Sequence, residues 1–161
     1  MVNRPKAKGT SAESAIVKYA QANGFAGAMR PALAGTYDIG DVWLEPGPTI
    51  IIESKNMAGA PAMGQPPKAM FDAWWGQTCT EAHNARANVG LLVVKRKGTT
   101  NPGRWWCWMP GTLIVRAAGC DRPAWDMPGL IETPVGTTLS HALLLARMAG
   151  YGDELSALDL A

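Results

Sequence analysis

The sequence predicts an α/β fold, a mixed central β-sheet flanked by helices within a single domain. Three observations point there. Helical and strand-like segments follow one another in the order helix, three strands, helix, three strands, helix. Two of the strand-like runs are joined by Glu45-Pro46-Gly47-Pro48, a turn that makes them a hairpin. The 161 residues suit one domain with a sizeable core.

The elements follow in order. Residues 1–9 (MVNRPKAKG) have charged and small side chains with nothing to bury, and are expected to form a basic, flexible arm. Thr10 is placed to N-cap the first helix, with Glu13 completing a capping box and Ala12, Ala15, Ile16, Tyr19 and Ala20 forming an apolar stripe. Asn23-Gly24 ends that helix. Phe25 to Met29 predicts a short strand, and Ile39 to Leu44 with Thr49 to Lys55 the hairpin. Residues 57–67, rich in glycine and proline, predict a loop. Lys68 to Asn88 reads as the second helix, with Met70, Phe71, Trp74, Thr78 and Ala82 along one side. Gly90 to Val94 has the apolar, branched character of a buried strand. After a turn through Asn101-Pro102-Gly103, Arg104 to Met109 and Thr112 to Arg116 predict two more strands, and Thr137 to Gly150 the third helix. The domain then spans 10–152, between the arm and an acidic tail at 153–161.

Composition narrows the function classes. Hydrophobic residues make up 47% and charged residues 17%, which excludes a disordered chain. No apolar run approaches the ~20 residues that span a bilayer, and no signal-peptide core is present, so no membrane partner is expected. Cys79, Cys107 and Cys120 are odd in number and lack metal-ligand spacing, which fits a reducing cytoplasm. His83 and His141 stand alone, so neither a zinc site nor a nucleophilic triad is read, and no GxxxxGK[ST] phosphate loop occurs.

The hairpin carries the chemistry. Side chains alternate along a strand, so Glu53 and Lys55 share a face. With the turn at Pro46 to Pro48, Glu45 pairs with Thr49, and Asp41 then lies directly across from Glu53. Like charges so opposed repel. A divalent cation bridging the two carboxylates relieves this, and Mg²⁺, which keeps several waters, suits a two-carboxylate site that must also hold phosphate. Asp38 faces the other way on a regular strand and ranks below Asp41 for that reason, although a bulge at Gly40 would bring it round. Lys55 completes the set of parts needed for phosphodiester hydrolysis, able to orient water or offset charge on a phosphate. Set against this is a plain alternative: a surface Glu–Lys pair at a strand end, with Glu13 serving only to cap its helix.

The residues Lys8-Gly9-Thr10 with Glu13, then Arg30, then Gly35 to Val42 (GTYDIGDV), then Ile50 to Asn56 (IIIESKN) resemble the PD-(D/E)xK nucleases, and among them the archaeal and phage Holliday-junction resolvases. The likeness is close over about residues 8–56. It implies a restriction-endonuclease-like core. It further implies metal ligands Asp41 and Glu53, Glu13 as a ligand or metal-water contact, Lys55 as the catalytic lysine, and Mg²⁺ or Mn²⁺ as cofactor. Gly40-Asp41 stands where the family has Pro-Asp, which leaves the choice between Asp38 and Asp41 open. Gln77 falls where the family often has a polar residue facing the site. A homodimer is implied as well, because a four-way junction is cut by two symmetric incisions, and a phage origin would place the protein in bacterial cytoplasm.

Lys95-Arg96-Lys97, with Arg104 across a turn, suits DNA phosphate contacts, and Lys6, Lys8 and Arg30 extend that surface. Trp105, Trp106 and Trp108 are read as core or interface residues, as are Trp74 and Trp75, with base stacking the alternative. The net charge of +2 conceals segregation: residues 1–120 hold 13 basic and 7 acidic side chains, and 121–161 hold 2 and 6. The expectation is a metal-dependent DNA endonuclease cleaving four-way junctions. The alternatives are a related nuclease acting on flaps, forks or linear DNA, and a non-catalytic DNA-binding module or phage structural subunit.

Overall fold

A computed structural model describes residues 4–32, 38–47, 49–56, 66–120, 129–130 and 133–160. The elements are α1 (Arg4–Gln21), β1 (Val42–Trp43), β2 (Ile50–Lys55), α2 (Lys68–Asn84), β3 (Val89–Val94), β4 (Trp106–Pro110), α3 (Gly111–Ala117), β5 (Pro134–Thr138) and α4 (Leu139–Met148). The five strands form one sheet in the order β1-β2-β3-β4-β5. Only β2 and β3 run parallel, α2 making the crossover between them, and the other neighbours are antiparallel. The fold is a mixed α/β arrangement with helices on both faces of the sheet.

Alternation along the strands sorts the two faces. Ile50, Ile52, Leu91, Val93, Cys107 and Met109 point to the side of α1 and α4 and join a large apolar cluster with Ile16, Phe25 and Leu143. The alternate residues Leu92, Val94 and Trp108 point to α2 and pack with Phe71 and Trp75. Gly90 lets α2 come down onto β3: a Cβ there would stand 3.1 Å from Ala82 Cβ and 3.2 Å from Thr78.

Four sequence expectations are corrected. The first helix begins at Arg4, so residues 4–9 continue it and Thr10 lies inside rather than at its cap. Pro5 is compatible with this, since a first helical turn needs no N–H from it. Thr112 to Arg116 is not a strand but part of α3, where Thr112, Leu113 and Ala117 are buried at helical spacing; packing overrides the strand preference of branched residues there. Phe25 to Met29 contributes a single bridge, Met29 to Trp43, and β1 covers only Val42–Trp43. A fifth sheet strand, β5, precedes α4 and opens with Pro134, a residue tolerated at the start of a strand. The acidic tail is tied down: Arg147 donates to both Asp159 carboxylate oxygens and to the Glu154 carbonyl.

Candidate functional site

The hairpin has the register its turn implies. Val42 pairs with Ile52 and Trp43 with Ile51, so that Asp41 and Glu53 flank one end of the ladder, close enough for their carboxyl groups to interact, and Glu45 and Thr49 flank the other. The Thr49 hydroxyl donates to Glu45, closing the turn end. At the other end the Asp41 N–H donates to the Ile52 carbonyl at 2.9 Å, and Asp41 Oδ2 accepts the Ser54 N–H at 2.9 Å. Gly40 precedes Asp41 at φ +87°, with the Ile51 side chain 3.0 Å from where its Cβ would be. Only glycine both adopts that backbone and leaves the room, so Gly40 sets the angle at which Asp41 enters the site.

Around Asp41 and Glu53 the structure gathers further groups. Glu53 is buried, and Lys55 Nζ reaches back to its Oε1 at 2.5 Å. The same ammonium donates to Gln77 Oε1 at 2.8 Å, and Gln77 Nε2 donates to Glu81 Oε1 at 2.6 Å. Glu81 is 1% exposed, and its second oxygen, Oε2, has no hydrogen-bond partner. Glu13, from α1, is paired with Arg30 Nη2 at 2.6 Å. Lys55 also stands 6.0 Å from the centre of the Trp74 ring.

Four carboxyl groups crowded together hold their protons unusually well. Burial raises Asp41 to about 6, and the charge of Glu53 adds to it, against a smaller opposing effect of the Ser54 N–H. Burial raises Glu53 to about 7, with Lys55 opposing and Glu81 reinforcing. Glu81 is raised by burial, though the adjoining Glu53 carboxyl and the Gln77 amide resist. Glu13 is raised by burial and then by Asp41, with Arg30 pulling the other way. Each shift has the same origin, the removal of water from a carboxylate whose neighbours are also carboxylates.

The structure therefore brings together Asp41, Glu53, Lys55 and Gln77, with Glu13 at the margin. Asp38 is exposed, its backbone carbonyl accepting from Asn84 Nδ2, though its charge is felt by Glu81. Among the described residues, no three His, Cys, Asp or Glu side chains converge closely enough to hold a metal ion by themselves. The Lys95 N–H donates to the Lys55 carbonyl, so the basic run Lys95-Arg96-Lys97 begins alongside the site. Lys95 Nζ lies 5.4 Å from the Trp105 ring and Arg96 lies 4.9 Å from the Trp106 ring, while Lys97 and Arg104 are exposed. Lys6 and Lys8 are on the first turns of α1, and their side chains lie outside the described residues, as does the Gly35-Thr36-Tyr37 part of the motif. Trp105, Trp108 and Trp75 are core residues, and Trp74 and Trp106 are partly buried. A cleft of 420 Å³ lined by Phe25, Leu44, Pro46 and Gly152 includes none of Glu13, Asp41, Glu53 and Glu81. No described helix is long and apolar enough to cross a membrane.

Glu81 is the residue that sequence reasoning missed. Its signal was present: it sits three residues after Thr78 and seven after Trp74, on the helix stripe that faces the sheet. A glutamate on such a stripe needs partners, and Gln77 stands at the i−4 position to supply one. Compared with family models, curated proteins and solved structures, the chain matches none.

Proposed function

We propose that this protein is a divalent-cation-dependent DNA endonuclease with a restriction-endonuclease-like core, cleaving four-way junctions as a homodimer. The observation that carries the reading is Asp41 facing Glu53 across the hairpin, with Lys55 on the same face of β2 beside a basic run. The order of a bridge at Met29, a hairpin, a helical crossover and a parallel strand supports the core.

Asp41 and Glu53 are hard oxygen donors, and a cation between them would offset the repulsion that raises their proton affinity. These two residues would hold Mg²⁺ or Mn²⁺, with water and substrate oxygens completing the shell, since no third side chain converges among the described residues. The bound ion would supply positive charge at the phosphate and a more acidic water. Lys55 does what the chain itself can do. Two of its three N–H donors are committed to Glu53 and Gln77, and the third remains for a phosphate oxygen or the attacking water. Hydrolysis then forms one P–O bond to water, breaks one phosphate ester bond, and returns a proton to the departing sugar oxygen. Lys95, Arg96, Lys97 and Arg104 would hold flanking phosphates without reading sequence.

The test is cleavage of a labelled four-way junction in Mg²⁺ or Mn²⁺. Wild type should cut it, and Glu53→Ala and Lys55→Ala should lose at least ~10²-fold in rate. Equal cleavage of flaps or linear duplex would move the assignment to another nuclease of the same kind. A second reading, a DNA-binding module without catalysis, is favoured by the lack of a third converging ligand among the described residues, and salt-sensitive binding with no cleavage would select it.

A further inference from the structure

Glu81 has no part in the hydrolysis just described, yet it is one of the most deeply buried charged residues among those described. A carboxylate does not come to 1% exposure by chance, because leaving it there without partners is costly. What it does with its one satisfied oxygen is specific: Oε1 accepts the Gln77 amide at 2.6 Å, and the other end of that amide accepts Lys55 at 2.8 Å.

A glutamine amide has two ends of nearly the same shape and opposite function. Alone on the exposed side of α2, Gln77 could turn either end toward Lys55. An NH₂ facing an ammonium would be donor against donor. Glu81 Oε1 accepts from the NH₂ end at 2.6 Å, and this leaves the oxygen end turned outward to Lys55. We infer that Glu81 is a positioning residue: through Gln77 it fixes an acceptor for Lys55, and so sets the direction of the ammonium relative to Glu53. The series is acceptor, donor, acceptor, donor from Glu81 to Lys55, and the buried end anchors the exposed one. This inference rests on Lys55 being the working cation of the proposed nuclease.

The experiment uses five variants of the full chain, one of them for signal assignment, and two readouts. The first is kcat and KM for junction cleavage. The second, independent of activity, is the ¹⁵N–¹H signal of the Lys55 ammonium, assigned by its loss in Lys55→Arg; an ammonium held by two acceptors exchanges slowly enough to be seen. Glu81→Leu should lower kcat about tenfold with KM nearly unchanged, and should erase the ammonium signal. Glu81→Gln, which keeps an acceptor for the Gln77 NH₂, should lie near wild type in both. Gln77→Glu should be impaired, since it sets a carboxylate against Glu81. The exchanged pair Gln77→Glu/Glu81→Gln restores an acceptor at Lys55 with a donor behind it, and should recover kcat to within about threefold and bring the signal back.

A packing role for Glu81 would not be rescued by the exchange. A role as a cation ligand would leave the exchanged pair inactive, with a raised Mg²⁺ requirement. Either outcome overturns the inference, as does an unchanged ammonium signal in Glu81→Leu. If Glu81→Leu does not fold, the comparison of Gln77→Glu with the exchanged pair decides. If wild type cleaves no DNA, the nuclease reading fails, and the ammonium signal still tests Glu81.

Discussion

The two faces of the sheet are made by alternate residues of the same strands, and they have opposite tasks. On the α1/α4 face, Ile50 and Ile52 of β2 meet Leu91 and Val93 of β3 in a large buried cluster that contains no charged side chain. On the α2 face, β2 offers Ile51, Glu53 and Lys55, and the helix above returns Gln77 and Glu81. The first face concentrates burial and stabilises the fold. The second gives up part of that burial to hold carboxylates whose proton affinities are raised by the same dryness. Strand periodicity allows both, since a change of one residue in β2 changes the face and therefore the chemistry.

This contrast can be broken or sharpened by substitution. The largest effect is expected from Ile52→Ala on the apolar face, where the residue is 0% exposed: a loss of about 2–5 kcal/mol, independent of pH, in urea denaturation. The polar face should respond to pH instead. Asp41 and Glu53 have folded values of about 6 and about 7, above their ordinary 3.8 and 4.5, so the folded state holds protons more tightly. The stability these two groups contribute is therefore full below pH ~4 and is lost as pH rises through these two values. In chelator, melting should be higher at pH 5 than at pH 8. Glu53→Gln should flatten the slope, and millimolar Mg²⁺ should raise the pH 8 melting point of wild type alone. Gly90→Ala, which presses on Ala82 and the Thr78 carbonyl beneath α2, should lose about 1–2 kcal/mol in the same denaturation. Smallest of all, Lys68→Ala removes an exposed pair with Asp72 at the start of α2 and should change stability by no more than ~0.5 kcal/mol.

Local rules made the hairpin legible. Pro46-Gly47-Pro48 fixes where the chain turns, the turn fixes the register, and the register places Asp41 across from Glu53. The α2 crossover and β3 follow from helical spacing and an apolar branched run. What stayed hidden depends on neighbours distant in sequence. Thr112 to Arg116 has a strand's composition and becomes helical where Leu113 and Ala117 can be buried together. Pro134 and Gly136 disguise β5, whose glycine is explained only by Trp108 lying against it from β4. Glu81 reads as an ordinary helical glutamate until β2 is set beneath it, which is why Gln77 could be singled out and its partner could not.

The mixture of one parallel and three antiparallel pairings has a consequence for the order in which the molecule assembles. Asp41 and Glu53 are brought face to face by a short hairpin, a local closure of the microsecond kind. Glu81 reaches them only after the long connection through α2 has closed and β3 has docked in parallel, a slower, non-local event. A hairpin closed ahead of the crossover would hold the two facing carboxylates in open water, well hydrated and ionised, before the helix covers them. A cation present at that stage meets an accessible pair, whereas one added later must enter beneath a finished roof. Refolding with and without Mg²⁺ would then differ in rate as well as in final stability.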